Sequence, residues 1–375
     1  MSFKETIPNT DTLRALIAAN ISSITSAVRA EVGTLEKEYI NFRRYHRVTV
    51  LVIALAFLLP NLAVFLLGIY LTELPNTLRY IIGVVAALLT LSMCGYYGGR
   101  LILSGYEMIQ QFHKSIDKIA FSKVFDLIGV EGKLLTHSIR ISEKLLDETA
   151  SKWSQLFEII IGHYHATKVT DEAKQVFLHL TTSELITEPY NVTQIDTVFE
   201  VAVAGAALTI TELDIKQVEG RGRKKRETPL FKGYFASYPL KRVCNGKTFI
   251  STEGDLYGFA HRTYWEGVTS GDVKEVIVGD TAFEELLFVA TTDEVEAKAI
   301  VSKRFMDELF SWWQKQNANI RISFIGDTMY LLFPDERIRF EDTVDSIDDK
   351  EVEEYLVTIA EPLLHIIHLI EEVEV

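Results

Sequence analysis

The sequence predicts an α+β protein: a transmembrane helical hairpin with a helical stalk, then a mostly antiparallel β-sheet domain with two helices. Three observations predict this. Two uncharged apolar runs lie close together near the N-terminus, Val48 to Leu71 with 24 residues and Tyr80 to Gly99 with 20. Apolar residues at helical spacing flank both runs. Beyond Pro189 that spacing gives way to short alternating runs rich in β-branched and aromatic residues.

A helix rises about 1.5 Å per residue, so each run is long enough for a hydrocarbon core of roughly 30 Å. Only Thr72 to Arg79 separate them, which leaves room for a tight hairpin loop. Pro60 and Asn61 at the centre of the first run are unfavourable there. Its sixteen Leu, Ile, Val and Phe residues contribute together on the order of −5 to −10 kcal/mol on an insertion scale, which outweighs them. Proline is also tolerated in spanning helices, because neighbours satisfy the freed carbonyl. A buried core hairpin and a re-entrant loop turning at Pro60–Asn61 are the weaker alternatives. The run begins too late and is too long for a cleaved signal peptide. The spans are therefore read as 48–71 and 80–104, with residues 1–47 an N-terminal amphipathic helix.

Basic residues orient the hairpin. Lys37, Arg43, Arg44 and Arg47 precede the first span, and Arg100, Lys114, Lys118 and Lys123 follow the second, while the loop offers only Arg79 beside Glu73. Both termini are expected in the cytoplasm, on an inner membrane. Gly95 and Gly99 form a small-xxx-small pair suited to close helix packing. The two cysteines, Cys94 and Cys244, form no disulfide framework and no zinc spacing, in keeping with a reducing compartment.

The net charge of −14 is localised: residues 341–375 hold twelve acidic residues and one lysine. That argues against nucleic acid as a partner. The first 47 residues carry seven basic against five acidic side chains, a surplus that suits an anionic inner leaflet.

In chain order, Ile17, Ile21, Ile24, Val28, Val32, Leu35, Tyr39 and Phe42 recur near a 3.6-residue period. Ile109, Phe112, Ile116 and Ile119 repeat it after the second span. A membrane hairpin brings these helices out side by side, so they are expected to pack as a coiled-coil-like stalk, within one chain or in an oligomer. Two independent helices on the bilayer surface are the alternative. Residues 105–190 read as helical stalk and connector, broken at Gly129 and Gly132, with an apolar patch at Trp153, Leu156, Phe157, Ile160 and Ile161.

The domain at 191–375 opens with strands at Thr197 to Val203, Leu208 to Val218, Leu230 to Ser237, Lys247 to Ser251, Val273 to Val278 and Phe283 to Ala290. Asp293 caps a helix running through Trp313. Strands at Arg321 to Ile325 and Thr328 to Phe333 flank a Gly326-Asp327 turn. A last helix spans about Lys350 to Glu372, kinked or interrupted at Pro362.

Several short motifs recur in a telling order. Glu212-Leu213-Asp214 precedes Phe231-Lys232-Gly233-Tyr234-Phe235, and Phe283-Glu284, Phe288-Val289, Asp293-Glu294-Val295-Glu296-Ala297 and Phe305 follow. Over roughly residues 180–335, and in the layout of the hairpin, the chain resembles an uncharacterised bacterial family of double-spanning membrane proteins with a cytoplasmic domain of unknown function. The long N-terminal helix and the acidic C-terminal tail depart from that pattern. The resemblance implies architecture and carries over no catalytic or binding residue.

The sequence contains no Walker-type loop, Gly-x-Gly-x-x-Gly, Gly-x-Ser-x-Gly or His-Glu-x-x-His. Glu361, His365, His368 and Glu372 fall on one helical stripe, within about 60° of one another. Carboxylates and imidazoles so placed are plausible metal ligands, but Leu363, Ile366, Ile367 and Ile370 lie opposite, so a solvated polar face is the better reading. His163 and His165 share a face only in an extended chain and carry little weight. Of Trp312 and Trp313, one is expected to point inward.

No catalytic, cofactor-binding or metal-binding residue is assigned. Arg43, Arg44 and Arg47 before the first span, with the cluster Arg221, Arg223, Lys224, Lys225 and Arg226, are the candidate contacts to lipid or a partner, although a plain solvated turn explains the cluster too. The expected function is a membrane-anchored cytoplasmic interaction or sensing scaffold without evident catalysis. A membrane-associated enzyme whose site assembles only in the fold, and a subunit of a membrane transport complex, are the alternatives. The expected partners are the lipid bilayer, a membrane or cytoplasmic protein, and further copies of the chain in a homo-oligomer.

Overall fold

The computed structural model describes residues 8–30, 115, 118–142, 171–219, 226–252, 272–278, 287–316, 319–334 and 348–374. The chain divides into two compact units, the first built from Met1–Ile24, Ala120–Asp342 and Ile347–Val375, the second from Thr25–Ile119 and Thr343–Ser346. In the second unit the described residues, 25–30, 115, 118 and 119, are helical. Among the described residues no helix is long and apolar enough to cross a membrane. The runs at 48–71 and 80–99, the loop between them and the apolar patch at 153–161 lie outside the described residues.

The first unit is α+β and antiparallel. Its strands are β1 (Gly132–Ser142), β2 (Val192–Val203), β3 (Ala206–Glu219), β4 (Arg226–Pro239), β5 (Lys247–Ser251), β6 (Lys274–Glu275), β7 (Phe288–Thr291), β8 (Arg321–Ile325) and β9 (Thr328–Pro334). They form one sheet in the order β1-β2-β3-β4-β9-β8-β5-β7-β6. Two tight hairpins set the register. Ala204 (φ 48°) and Gly205 (φ 89°) link β2 to β3 with two positive φ angles, the turn whose twist matches paired strands. Gly326 (φ 63°) opens the Gly326-Asp327 turn between β8 and β9.

The helices are α1 (residues 10–30), α2 (118–128), α3 (Asp171–Ser183), α4 (Glu294–Ile300), α5 (Lys303–Gln316) and α6 (Asp349–Glu374). One sheet face is covered by α3: Val176, Leu180 and Leu185 pack on Ile195, Val198, Leu213, Ile215, Phe235 and Leu332. The polar groups on that face have structural work. Ser323 Oγ donates to the Ser183 carbonyl (2.7 Å) and Arg321 Nη1 to that of Leu185 (3.1 Å), satisfying the carbonyl end of α3. The opposite face meets α2 through Phe121, whose ring centroid lies 4.6 Å from that of Phe199, and α5 through Trp312 and Phe305. Helix α2 ends at Gly129 (φ 77°), with both Gly129 N and Val130 N donating to the Phe125 carbonyl.

Four expectations need correction. The helical reading of 129–188 fails at Gly132–Ser142, an 11-residue strand paired with β2 from Gly132↔Val201 to Ser142↔Val192. Leu135, His137, Ile139 and Ile141 alternate in sequence, and the long-range ladder with β2 decides the conformation that local pattern left ambiguous. The single helix expected from Asp293 to Trp313 is two, because Ser302 acts as a second N-cap, its Oγ accepting from Phe305 N (3.2 Å). The last helix is not interrupted at Pro362 and spans it from Asp349 to Glu374. Proline removes only the bond to the Thr358 carbonyl, and buried Ile359, Leu363 and Ile366 hold the turns on either side. The strand expected at Val273 to Val278 narrows to Lys274–Glu275, and the start of that expected at Phe283 lies outside the described residues.

Candidate functional site

Ionisable side chains converge where α5 and α6 pack. On α5, Glu308 and Trp312 are four residues apart and share a face; on α6, Glu361, His365 and His368 do the same. Oε1 of Glu308 is approached by His365 Nδ1 at 2.8 Å and by His368 Nδ1 at 3.5 Å. The His365 ring lies flat on the indole of Trp312, centroids 5.6 Å apart and planes 10° apart. Trp312 meets Phe333 of the sheet edge-on at 4.9 Å. His365 is only 3% exposed. Burial pushes the Glu308 carboxyl up, but the hydrogen bonds and charges of the two imidazoles outweigh it and hold the group down at about 2.

One turn before His365, Glu361 is 8% exposed and paired with Arg14 of α1. Beyond His368 the cluster opens on a groove of about 390 Å³ lined by Arg304, Asp307, Glu308, His368, Glu371 and Glu372. Lys303 Nζ engages Asp307 at 2.8 Å. The groove is therefore mainly anionic, with one imidazole at its wall.

The solvated-face reading of Glu361, His365, His368 and Glu372 is corrected by this packing. The stripe has the spacing expected of it, but Glu361 and His365 are buried between α6 and its neighbours, and His368 and Glu372 are half-buried. Buried charges persist where partners meet them, and here Arg14 and Glu308 come from helices remote in sequence. Glu308 carried no signal in the sequence that set it apart from other helical glutamates. Among the described residues no group of three or more His, Cys, Asp or Glu is arranged to hold a metal ion.

A second imidazole contact is structural. His179 Nδ1 lies 3.0 Å from Ser237 Oγ, and desolvation lowers the imidazole's proton affinity. Ser237 faces α3 from the middle of the sheet and is 5% exposed.

The Asp293-Glu294-Val295-Glu296-Ala297 motif also resolves into structure. Asp293 Oδ1 caps α4, accepting from Val295 N and Glu296 N at 3.0 and 3.1 Å. Glu296 reaches away from its helix instead, and its carboxylate accepts from Asn245 N (3.0 Å) and Gly246 N (2.9 Å). Gly246 has no room for a side chain, since a Cβ there would meet Thr292 Oγ1 at 2.8 Å and Asp293 Cβ at 2.9 Å. In the Phe231-Lys232-Gly233-Tyr234-Phe235 motif, Tyr234 stacks on Phe333 (5.2 Å) and Phe235 on Tyr330 of the other face (6.1 Å). The first motif thus ties α4 to the link between β4 and β5, and the second packs β4 on β9.

Arg43, Arg44, Arg47, Arg221, Arg223, Lys224 and Lys225, together with His163 and His165, lie outside the described residues. Arg226 is exposed at the start of β4, opposite Glu219 of β3, and the rest of the basic cluster falls between these two residues in sequence. Trp312 is fully buried and Trp313 is not. Cys244 is a buried free thiol.

No curated protein and no solved structure matches the chain. The acidic C-terminal tail, expected to depart from the family pattern, falls inside a family match that starts within β4 and takes in the whole of α5 and α6. Residues 229–375 hold a domain described as protein of unknown function (DUF3137), and the chain is similar to that uncharacterised family over this stretch.

Proposed function

We propose that the chain is a membrane-anchored interaction or sensing protein, in which the apolar hairpin within residues 48–104 holds the α+β unit at the cytoplasmic face of an inner membrane. The observation that carries this reading is the closure of one fold by both flanks of the two apolar runs. Leu13 and Ile17 of α1 are buried, Arg14 pairs with Glu361, and Ser22 Oγ lies 3.3 Å from Asp349 Oδ2. Lys315 Nζ donates to Thr10 Oγ1 at 2.7 Å. Segments that share a core must lie on the same side of a bilayer, so a chain anchored between them crosses it an even number of times. Basic residues on both flanks support the same hairpin.

The basic segment that joins β3 to β4 in sequence is the contact we assign to the membrane surface or a partner on it. Between Glu219 and Arg226 it gathers Arg221, Arg223, Lys224 and Lys225, each worth about 1 kcal/mol near anionic lipid. A second reading, a membrane-associated enzyme, is favoured by one observation: the Glu308–His368 pair opens on a groove, as an acid–base pair must. A photoreactive residue in place of Lys224, in the full chain in its native membrane, tests the interaction reading. Adducts with phospholipid or a single protein, lost when the other four basic residues become Gln, are expected. Adducts with copies of the chain alone would contradict it.

A further inference from the structure

We propose that Glu308, His365 and His368 form a proton-responsive latch that sets how tightly α6 is held on α5. It rests on the sensing reading and names protons as the signal. Two imidazoles share one carboxylate oxygen, at 2.8 and 3.5 Å. One imidazole is buried against Trp312; the other, with Glu308, is about one-quarter exposed, so protons reach the pair from the groove. Imidazole is the side chain that changes charge between roughly pH 5 and 8.

Both α5 and α6 bring further charged groups near this contact. Helix α5 adds Arg304 and Asp307, the latter held by Lys303. Helix α6 adds Glu361, held by Arg14 of α1, and Glu371 and Glu372 on the groove wall. The sheet presents Phe333 to Trp312, with Tyr234 stacked on Phe333; Tyr238, at the other end, is raised to about 12 by burial and by Glu374.

When the imidazoles are neutral, each can donate Nδ1–H to the Glu308 carboxylate. When they are protonated, the same contacts become ion pairs, and the His365 cation lies on the indole face. Mild acidification therefore tightens the latch. Glu308 itself sits below its ordinary value, so its contribution is present above that value and is lost only as pH falls toward about 2.

The test uses the full chain in detergent micelles. Glu308→Gln lowers the apparent unfolding midpoint, and the gap from wild type widens by about 3 °C between pH 8 and pH 5.5. His368→Gln, at the groove rim, gives a smaller widening and serves if Glu308→Gln does not fold. In a chain with Trp312 as its sole tryptophan, emission falls as the pH is lowered, and the fall moves to lower pH in Glu308→Gln. A gap that is the same at both pH values in both variants, or a fall in emission unmoved by Glu308→Gln, overturns the latch. Either result leaves the anchoring and the Lys224 adducts untouched, so the two failures are distinguishable.

Discussion

Excision of residues 48–99, with Arg47 and Arg100 bridged by about ten Gly/Ser residues, should move the chain from the sedimenting membrane fraction to the supernatant, still folded. The first run alone contributes on the order of −5 to −10 kcal/mol to insertion, and the second is of similar character. Among the described residues no helix is long and apolar enough to cross a membrane in their place. In the proposed stalk, packed antiparallel helices would leave their ends about 10 Å apart, and ten flexible residues reach roughly 17 Å, enough for the bridge. The fold should survive because α1 keeps its contacts: Leu13 and Ile17 remain buried and Arg14 remains paired with Glu361. Ultracentrifugation followed by circular dichroism of the supernatant checks both parts. A folded chain that still sediments with membranes would place the anchor elsewhere.

Trp312→Ala should destabilise the first unit by about 3–5 kcal/mol, the cost of emptying an aromatic site in a packed core. Trp312 has no exposed surface and joins Phe333 of the sheet to His365 of α6. Its removal leaves a cavity and also strips the apolar wall from a buried imidazole. Trp312→Phe should cost less than about 1.5 kcal/mol, since most of the ring contact survives. It also removes the indole Nε1, a buried donor with no hydrogen-bond partner among the described residues. Denaturant unfolding of the two variants measures the difference, and equal losses would show that volume at this site matters little.

The strand-rich half of the unit was legible because its signals are local. Alternation placed the strands, the Gly326-Asp327 turn fixed the β8–β9 hairpin, and Asp293 marked the start of α4. Ser302 was equally local, but without a glycine or proline beside it the apolar period of the flanking helices hid the cap. The strand β1 was hidden for a different reason. Its partner β2 begins at Val192, fifty residues after Ser142, and only that long-range ladder distinguishes β1 from helix. The Glu308–His365–His368 cluster was half legible. The stripe on α6 could be drawn from spacing, but whether water or protein covers a polar stripe depends on α1 and α5, which lie hundreds and tens of residues away. Pattern along one helix carries no record of what packs against it.

The measurement closest to the central claim is sidedness. In a chain with Cys94 and Cys244 replaced by Ser, single cysteines at Asp11, Asn76 and Val295 are exposed to a membrane-impermeant maleimide in sealed right-side-out vesicles. Shared packing of both flanks predicts labelling at position 76 alone, with positions 11 and 295 reacting together only in inverted vesicles. Reaction of positions 11 and 295 from opposite sides would contradict it.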